Sequence, residues 1–223
     1  MGARTWMLVY VEGGDARAQL AARPALDRAQ SARVAEQLFA ADELQPLADG
    51  SLAWTAPPDD ELLVGCFGGL TVLAAKEFAL DRPSGLDARF LEHAQGRDVI
   101  LHAMHSAADW LAVAHWRGGR LLRALSVAPD DGVIEDQGSR LAFEAPFWAG
   151  AHPADDPEEL AAGEEPYPLP FHPLELGEAA LREFLGYQLE GIVDASLLEP
   201  DTVPLLRFKR KPRRKPSWFS RLW

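Results

Sequence analysis

The chain is nearly free of cysteine. Cys66 is the only one among 223 residues, so an intrachain disulfide and a Cys-rich metal site are both excluded, and a reducing compartment is implied. Long apolar runs are also missing. The N-terminal run Trp6 to Val11 stops at Glu12, too short for a signal peptide, and nothing approaches the roughly 20 apolar residues of a membrane span. The start Met1-Gly2-Ala3-Arg4-Thr5-Trp6 puts Trp where myristoylation prefers Ser or Thr. There is no GxGxxG, Walker lysine, HExxH, CxxC or GxSxG elbow, so no dinucleotide, nucleotide, zincin, thiol-redox or α/β-hydrolase signature is present and no cofactor can be named. The expectation is a soluble cytoplasmic protein.

Charge is the strongest compositional feature. There are 22 Lys and Arg against 34 Asp and Glu, a net −12. Residues Arg207 to Trp223 hold eight basic residues and no acid, which leaves 14 basic against 34 acidic elsewhere, a balance of −20. An acidic body with a basic end is therefore expected: one domain over 1–206 and a flexible basic, aromatic tail over 207–223.

The clearest structural signal runs from Asp98 to Pro153. Val99 to Ser106 is apolar at both parities and reads as a strand covered on both faces. Trp110 to Trp116 and Leu121 to Val127 flank Arg117-Gly118-Gly119-Arg120, a hairpin signal because primed turns need positive φ. That turn predicts Arg117 opposite Arg120, Trp116 opposite Leu121, His115 opposite Leu122 and Ala112 opposite Leu125. A turn at Ala128 to Gly132 leads to a short strand at Val133–Glu135.

Elsewhere, Thr5 to Glu12 reads as a central strand followed by a plain Gly13-Gly14-Asp15 turn. Pro24 to Ala40 and Pro83 to Ala94 read as helices, and Asp42 to Asp60 as a connection with a short strand near Leu52–Trp54. Glu61 to Ala75 is β-rich around Gly65, Gly68 and Gly69. Leu141 to His152 reads as a strand breaking into a loop, and Ala154 to Pro166 as an acidic surface loop. Leu176 to Glu190 is the best helix, with Leu181, Phe184, Leu185 and Leu189 on one face, a Glu178–Arg182 pair, and Gly191 as its stop. Val203 to Phe208 suits an edge strand. Together these predict an α+β fold: one mixed, mainly antiparallel sheet with two or three helices packed on it.

The stretches LHAMHSAADW, GRLLRALSVAPDDGVIE, FEAPFWAGAHP and PLPFHPLELGEAAL, with MGARTWMLVY at the start, resemble an uncharacterised actinobacterial family, a domain of unknown function. The resemblance covers roughly residues 1–208 and implies an actinobacterial, intracellular setting. It implies no activity, ligand or catalytic residue.

The residues themselves offer four candidates. His102, His105 and Asp109 are the first, as acid/base groups or, with His152, as metal ligands. His102 and His105 point to opposite faces of a regular strand, so a bend at Ser106–Asp109 is needed to join them, with His115, His152 or His172 completing the set. The ordinary alternative is a set of hydrogen-bonded core or rim histidines. Glu144, in the aromatic run Phe143 to Trp148, is the second: if buried its pKa rises, it needs a partner such as an Arg or a His and it suits a general acid; the ordinary alternative is a structural acid that ties a loop with backbone hydrogen bonds. Trp110 and Trp148 are the third, as pocket-lining groups or core. The fourth is the basic end, with Arg207, Lys209, Arg210, Lys211, Arg213, Arg214, Lys215, Trp218 and Trp223 as surface contacts. Cations and interfacial Trp suit an anionic membrane surface or a protein partner, and nucleic acid ranks behind them. A non-enzymatic binding module recruited through that end is the leading expectation. A metal-assisted or acid/base enzyme around His102, His105 and Asp109 is the alternative.

Overall fold

A computed structural model describes residues 2–155, 161–163, 165–192 and 194–213. In chain order the elements are β1 (Arg4–Val11), α1 (Ala16–Ala21), α2 (Arg28–Leu38), β2 (Asp42–Pro46), β3 (Gly50–Ser51), β4 (Glu61–Phe67), β5 (Leu70–Ala74), α3 (Ala88–Ala94), β6 (Asp98–His105), β7 (Trp110–Arg117), β8 (Arg120–Ala128), β9 (Gly132–Gly138), α4 (Ala145–Trp148), α5 (Pro173–Leu185) and β10 (Pro204–Pro212). The strands form one ten-stranded sheet in the order β2-β10-β4-β5-β1-β6-β7-β8-β9, with β3 also pairing with β10. Every strand pairing is antiparallel. The fold is α+β, as the mixture of element signals predicts.

β1 lies at the middle of the sheet and explains its two-faced apolarity. Met7, Val9 and Val11 enter one core with α1 and α5. Leu8 and Tyr10 enter a second core, on the other face, with α2 and α3. Taken in chain order, with α1, β2 and β3 set aside, the elements β1-α2-β4-β5-α3-β6 place their strands in the order β4-β5-β1-β6. Each helix therefore crosses over one intervening strand, and both lie on the same face, the split β-α-β arrangement. The β7-β8-β9 meander extends this unit on one side, and β10 and β2 extend it on the other.

α5 is amphipathic, and its buried Leu176, Ala180, Leu181 and Leu185 join Met104 and Leu111 of the sheet. Gly177 permits a close approach, since a Cβ there would sit 3.0 Å from the Met104 sulfur and 3.1 Å from Leu111. The helix stops at Gly186, whose φ of 75° suits glycine, and not at Gly191. Glu178 does not pair with Arg182. Its carboxylate accepts from the amides of Leu189 (2.8 Å) and Glu190 (3.1 Å) and so ties down the chain beyond the helix.

Several expectations change. α2 begins at Arg28, capped by Asp27, which accepts from Gln30 N at 2.8 Å, so Pro24 lies outside it. Asp15, expected only as the end of the Gly13-Gly14-Asp15 turn, caps a short helix, α1, that follows it. Leu141 to His152 holds the turn of helix α4, not a strand. The largest change concerns the C-terminal end. β10 runs through Pro212 and lies between β4 and β2, so it is not an edge strand, and a tail starting at Arg207 is corrected. The cause is pairing: Arg207, Phe208 and Lys209 are in register with Leu63, Leu62 and Glu61, while Lys209 to Pro212 face Gln45 to Asp42.

Candidate functional site

The Gly118-Gly119 hairpin forms, with Arg117 opposite Arg120 and Trp116 opposite Leu121. The register then slips: His115 faces Arg123, Val113 faces Leu125 and Ala112 faces Ser126. Leu122 is the extra residue of a β-bulge. A bulge reverses which parity faces which side, so Leu121 packs on the core with α2 and α3 while Arg123 turns to the opposite face. Gly138 accommodates the bulge. It has a φ of +80°, and a Cβ there would lie 1.9 Å from the Leu122 carbonyl oxygen.

Arg123 is fully buried. Its Nε donates to both Glu144 oxygens at 2.9 and 3.1 Å, and a terminal nitrogen donates to Glu144 at 2.7 Å. The other terminal nitrogen reaches Asp136 and, at 3.0 Å, the Gln137 carbonyl. Burial alone pulls the Arg123 pKa down, but Glu144 and Asp136 outweigh it and the net shift is upward. Glu144 also accepts from Leu141 N at 3.0 Å. This carboxylate is the buried structural acid with an arginine partner, and all its strong contacts are internal.

His102 lies on the α5 face. Its Nε2 is 3.0 Å from the Gly177 carbonyl, an acceptor only, so Nε2 carries the proton. Its Nδ1 then accepts from the Thr5 hydroxyl at 2.7 Å. Burial holds its pKa down, at about 4 against an ordinary 6.5, so it is neutral at neutral pH. His105 ends β6, half-buried, with Nδ1 accepting from Ala107 N at 3.1 Å. Asp109, at a φ of 44°, stands 3.7 Å from His172. His152 stacks on Phe147 with ring centroids 4.2 Å apart. The sequence candidates His102, His105, Asp109, Glu144 and His152 are thus held by separate partners. Among the described residues no three His, Cys, Asp or Glu side chains group to hold a metal ion. Trp110 and Trp148 pack on opposite faces of the sheet and share no pocket.

The basic end divides along β10. Arg207 pairs with Glu61 at 2.6 Å, Lys209 with Asp60 at 2.6 Å, and Arg210 with both Asp42 (2.8 Å) and Glu77 (2.6 Å) while lying over the Phe39 ring. Lys211 and Arg213 are exposed and have no carboxylate partner among the described residues. Arg214, Lys215, Trp218 and Trp223 lie outside the described residues.

A cleft that no sequence motif marks opens where α1, α5 and the outer ends of β6 and β7 meet. Its volume is about 360 Å³, and Asp15, Arg17, Asp98, His115, Arg117 and Glu183 line it. Asp98 accepts from Arg117 Nε at 3.0 Å and lies 3.4 Å from His115 Nε2. The His115 ring is nine-tenths buried and meets the Phe184 edge. Burial lowers its pKa, partly offset by Asp98. Its Nδ1 has no hydrogen-bond partner among the described residues, a vacancy that typically costs about 1–3 kcal/mol. His115 carries no motif. In the sequence it stands out only as one of the histidines that could complete a His102/His105 set.

Taken together, these features define an α+β protein on one antiparallel sheet, with buried ion pairs and a capped histidine that fasten the fold. Residues 5–208 match a family of unknown function (DUF6928), and the chain belongs to that family. No curated protein and no solved structure matches it. No helix among the described residues is long and apolar enough to cross a membrane.

Proposed function

We propose that this protein is a non-catalytic binding module that docks on an anionic membrane surface through its basic C-terminal end, in the actinobacterial cytoplasm that the motif resemblance implies. The observation that carries the reading is the sorting of charge along β10. Arg207, Lys209 and Arg210 are neutralised by acids of the body, so they anchor the strand. Lys211 and Arg213 are exposed where β10 ends, and Arg214, Lys215 and Arg221 follow in the sequence with Trp218 and Trp223. Each cation near an anionic surface contributes about 1 kcal/mol, and five give about 5 kcal/mol against the repulsion of the acidic body. That favours reversible, salt-sensitive attachment.

The test is co-sedimentation with anionic and with neutral vesicles, and with RNA. It compares the full chain, a chain ending at Arg213 that keeps all of β10, and K211E/R213E. The expected result is pelleting of the full chain with anionic vesicles only, weakened in both variants and by salt. Equal behaviour of all three proteins refutes the reading, and pelleting with RNA in place of vesicles replaces it with a nucleic-acid role.

A further inference from the structure

Among the described residues three large apolar side chains are exposed, Trp54, Val133 and Ile192, and Trp54 lies against the basic strand β10. Its backbone is fixed on both sides. Trp54 N donates to the Ser51 carbonyl at 3.1 Å, and the Thr55 carbonyl accepts from Trp6 N at 2.8 Å. The ring stands beside Gly50, where a Cβ would lie 4.0 Å from it, and the Arg207 guanidinium lies 4.7 Å from the ring centroid. Glu61 holds that arginine at 2.6 Å. The indole is thus held in one place, yet 38% of the residue is open to water. An aromatic with an apolar body and a polar N–H suits a boundary that is apolar on one side and wet on the other.

Side chains alternate along a strand, so Leu205, Arg207, Lys209 and Lys211 share one face of β10. Leu205 belongs to the core of α1 and α5 on that face, and no later residue of β10 does. Beyond it the face is open, a groove of about 570 Å³ lined in part by Arg207, Lys209, Lys211 and Leu47. The other face is closed, with Phe208 in the second core and Arg210 over Phe39. On the open face Arg207 and Lys209 balance Glu61 and Asp60. Lys211 stands opposite Glu43 in register but makes no ion pair among the described residues.

We propose that this open face of β10 is the one turned to the anionic membrane, with Trp54 entering the boundary between headgroups and acyl chains and Lys211 meeting lipid phosphate. The inference rests on the membrane reading above and gives the attachment an orientation. Two observations select a bilayer as the occupant. The charge left over on this face is positive, and it continues into Arg213 and the Arg214 and Lys215 that follow. The exposed aromatic is a tryptophan, a side chain enriched at the membrane–water interface. The two parts respond differently to salt: the attraction of Lys211 is screened, and the burial of Trp54 is not.

The experiment measures partition of the full chain into vesicles of phosphatidylglycerol and phosphatidylcholine, at low and at high salt. W54A is expected to weaken partition about tenfold, and by the same factor at both salt concentrations. K211E is expected to weaken it at low salt only. A second measurement uses W54F, which keeps an aromatic ring beside Arg207 and so does not depend on W54A folding. Vesicles brominated along the acyl chains are expected to quench the tryptophan emission of the parent more than that of W54F, by the share of one tryptophan. If the parent does not pellet with these vesicles, the membrane reading fails and this inference fails with it. If the parent pellets, this inference alone is overturned when W54A partitions like the parent or when parent and W54F are quenched equally, and the attachment then belongs to the C-terminal end without this face.

Discussion

Acidification should unfasten α5 from the sheet through a single side chain, His102. The folded ring is neutral, with Nε2–H donating to Gly177 and Nδ1 accepting from Thr5. A second proton would break the Thr5 contact and place a charge in a fully buried site. The folded-state pKa is therefore depressed, to about 4 from an ordinary 6.5. The sign follows: above 6.5 neither state binds the extra proton and the stability contribution is whole. As the pH falls from 6.5 towards 4, the unfolded chain takes the proton and the folded chain does not, so stability is lost. At about 1.4 kcal/mol per pH unit, the interval from 6.5 to about 4 amounts to about 3 kcal/mol. The isoelectric point near 4.9 limits solubility at the lower end, so the useful window is pH 7 to 5.5, where the loss is about 1 kcal/mol. Other groups titrate too, among them Glu178, whose pKa burial raises and whose effect has the opposite sign. The assay is consequently a comparison of urea unfolding for the parent and for H102Q, which keeps an amide donor for Gly177 but does not titrate. H102Q should gain about 1 kcal/mol on the parent between pH 7 and 5.5. Parallel pH profiles would refute a buried neutral His102.

Three further outcomes follow from the geometry. Arg123→Met strands Glu144 in the core and should cost about 3–5 kcal/mol in urea unfolding, while adding Glu144→Leu should restore much of it; a single-variant loss under about 1 kcal/mol would mean that the bulge does not depend on the pair. Gly138→Ala meets both a left-handed φ and the Leu122 carbonyl and should destabilise by about 2 kcal/mol or more, read as a lowered melting temperature; an unchanged melting temperature would remove the bulge as a structural requirement. Cys66 is buried, and burial raises its thiol pKa, so native labelling by a thiol reagent should be on the order of 100-fold slower than labelling in urea; comparable rates would place the thiol at the surface.

The parts of the fold that were legible are those where sequence and local physics agree. Gly118-Gly119 marks a turn because both glycines have positive φ. β1 and β6 are apolar at both parities because each face of the sheet carries its own core. The parts that were hidden depend on partners distant in sequence. Nothing near Leu122 announces an extra residue. The bulge becomes intelligible only when Glu144 and Gly138 are seen to receive Arg123 and the Leu122 backbone. Gly186 looked like an interior helix residue because Leu189 continues the apolar spacing; in the structure Leu189 packs on the same core after the helix has ended. β2, read as a connection, pairs among the described residues with β10 alone, and its polar sequence gives no alternation to detect.

The candidate sites divide in the same way. His102, Glu144 and the basic run were visible as residue types, but their roles depended on burial and pairing that the sequence does not encode locally. Glu144 is committed to Arg123, and His102 to Thr5 and Gly177. Arg207, Lys209 and Arg210, which look like one continuous charged surface in the sequence, belong to the sheet because Glu61, Asp60, Asp42 and Glu77 lie within 2.6–2.8 Å of them. The Arg207–Glu61 and Arg210–Asp42 pairs, close and partly buried, hold their geometry through salt better than an exposed pair such as Lys209–Asp60. High salt should therefore weaken contacts made by Lys211 and Arg213 while β10 stays in place. Loss of vesicle binding without loss of folded structure is the expected signature, and unfolding over the same salt range would show that the two halves of the basic run are not physically distinct.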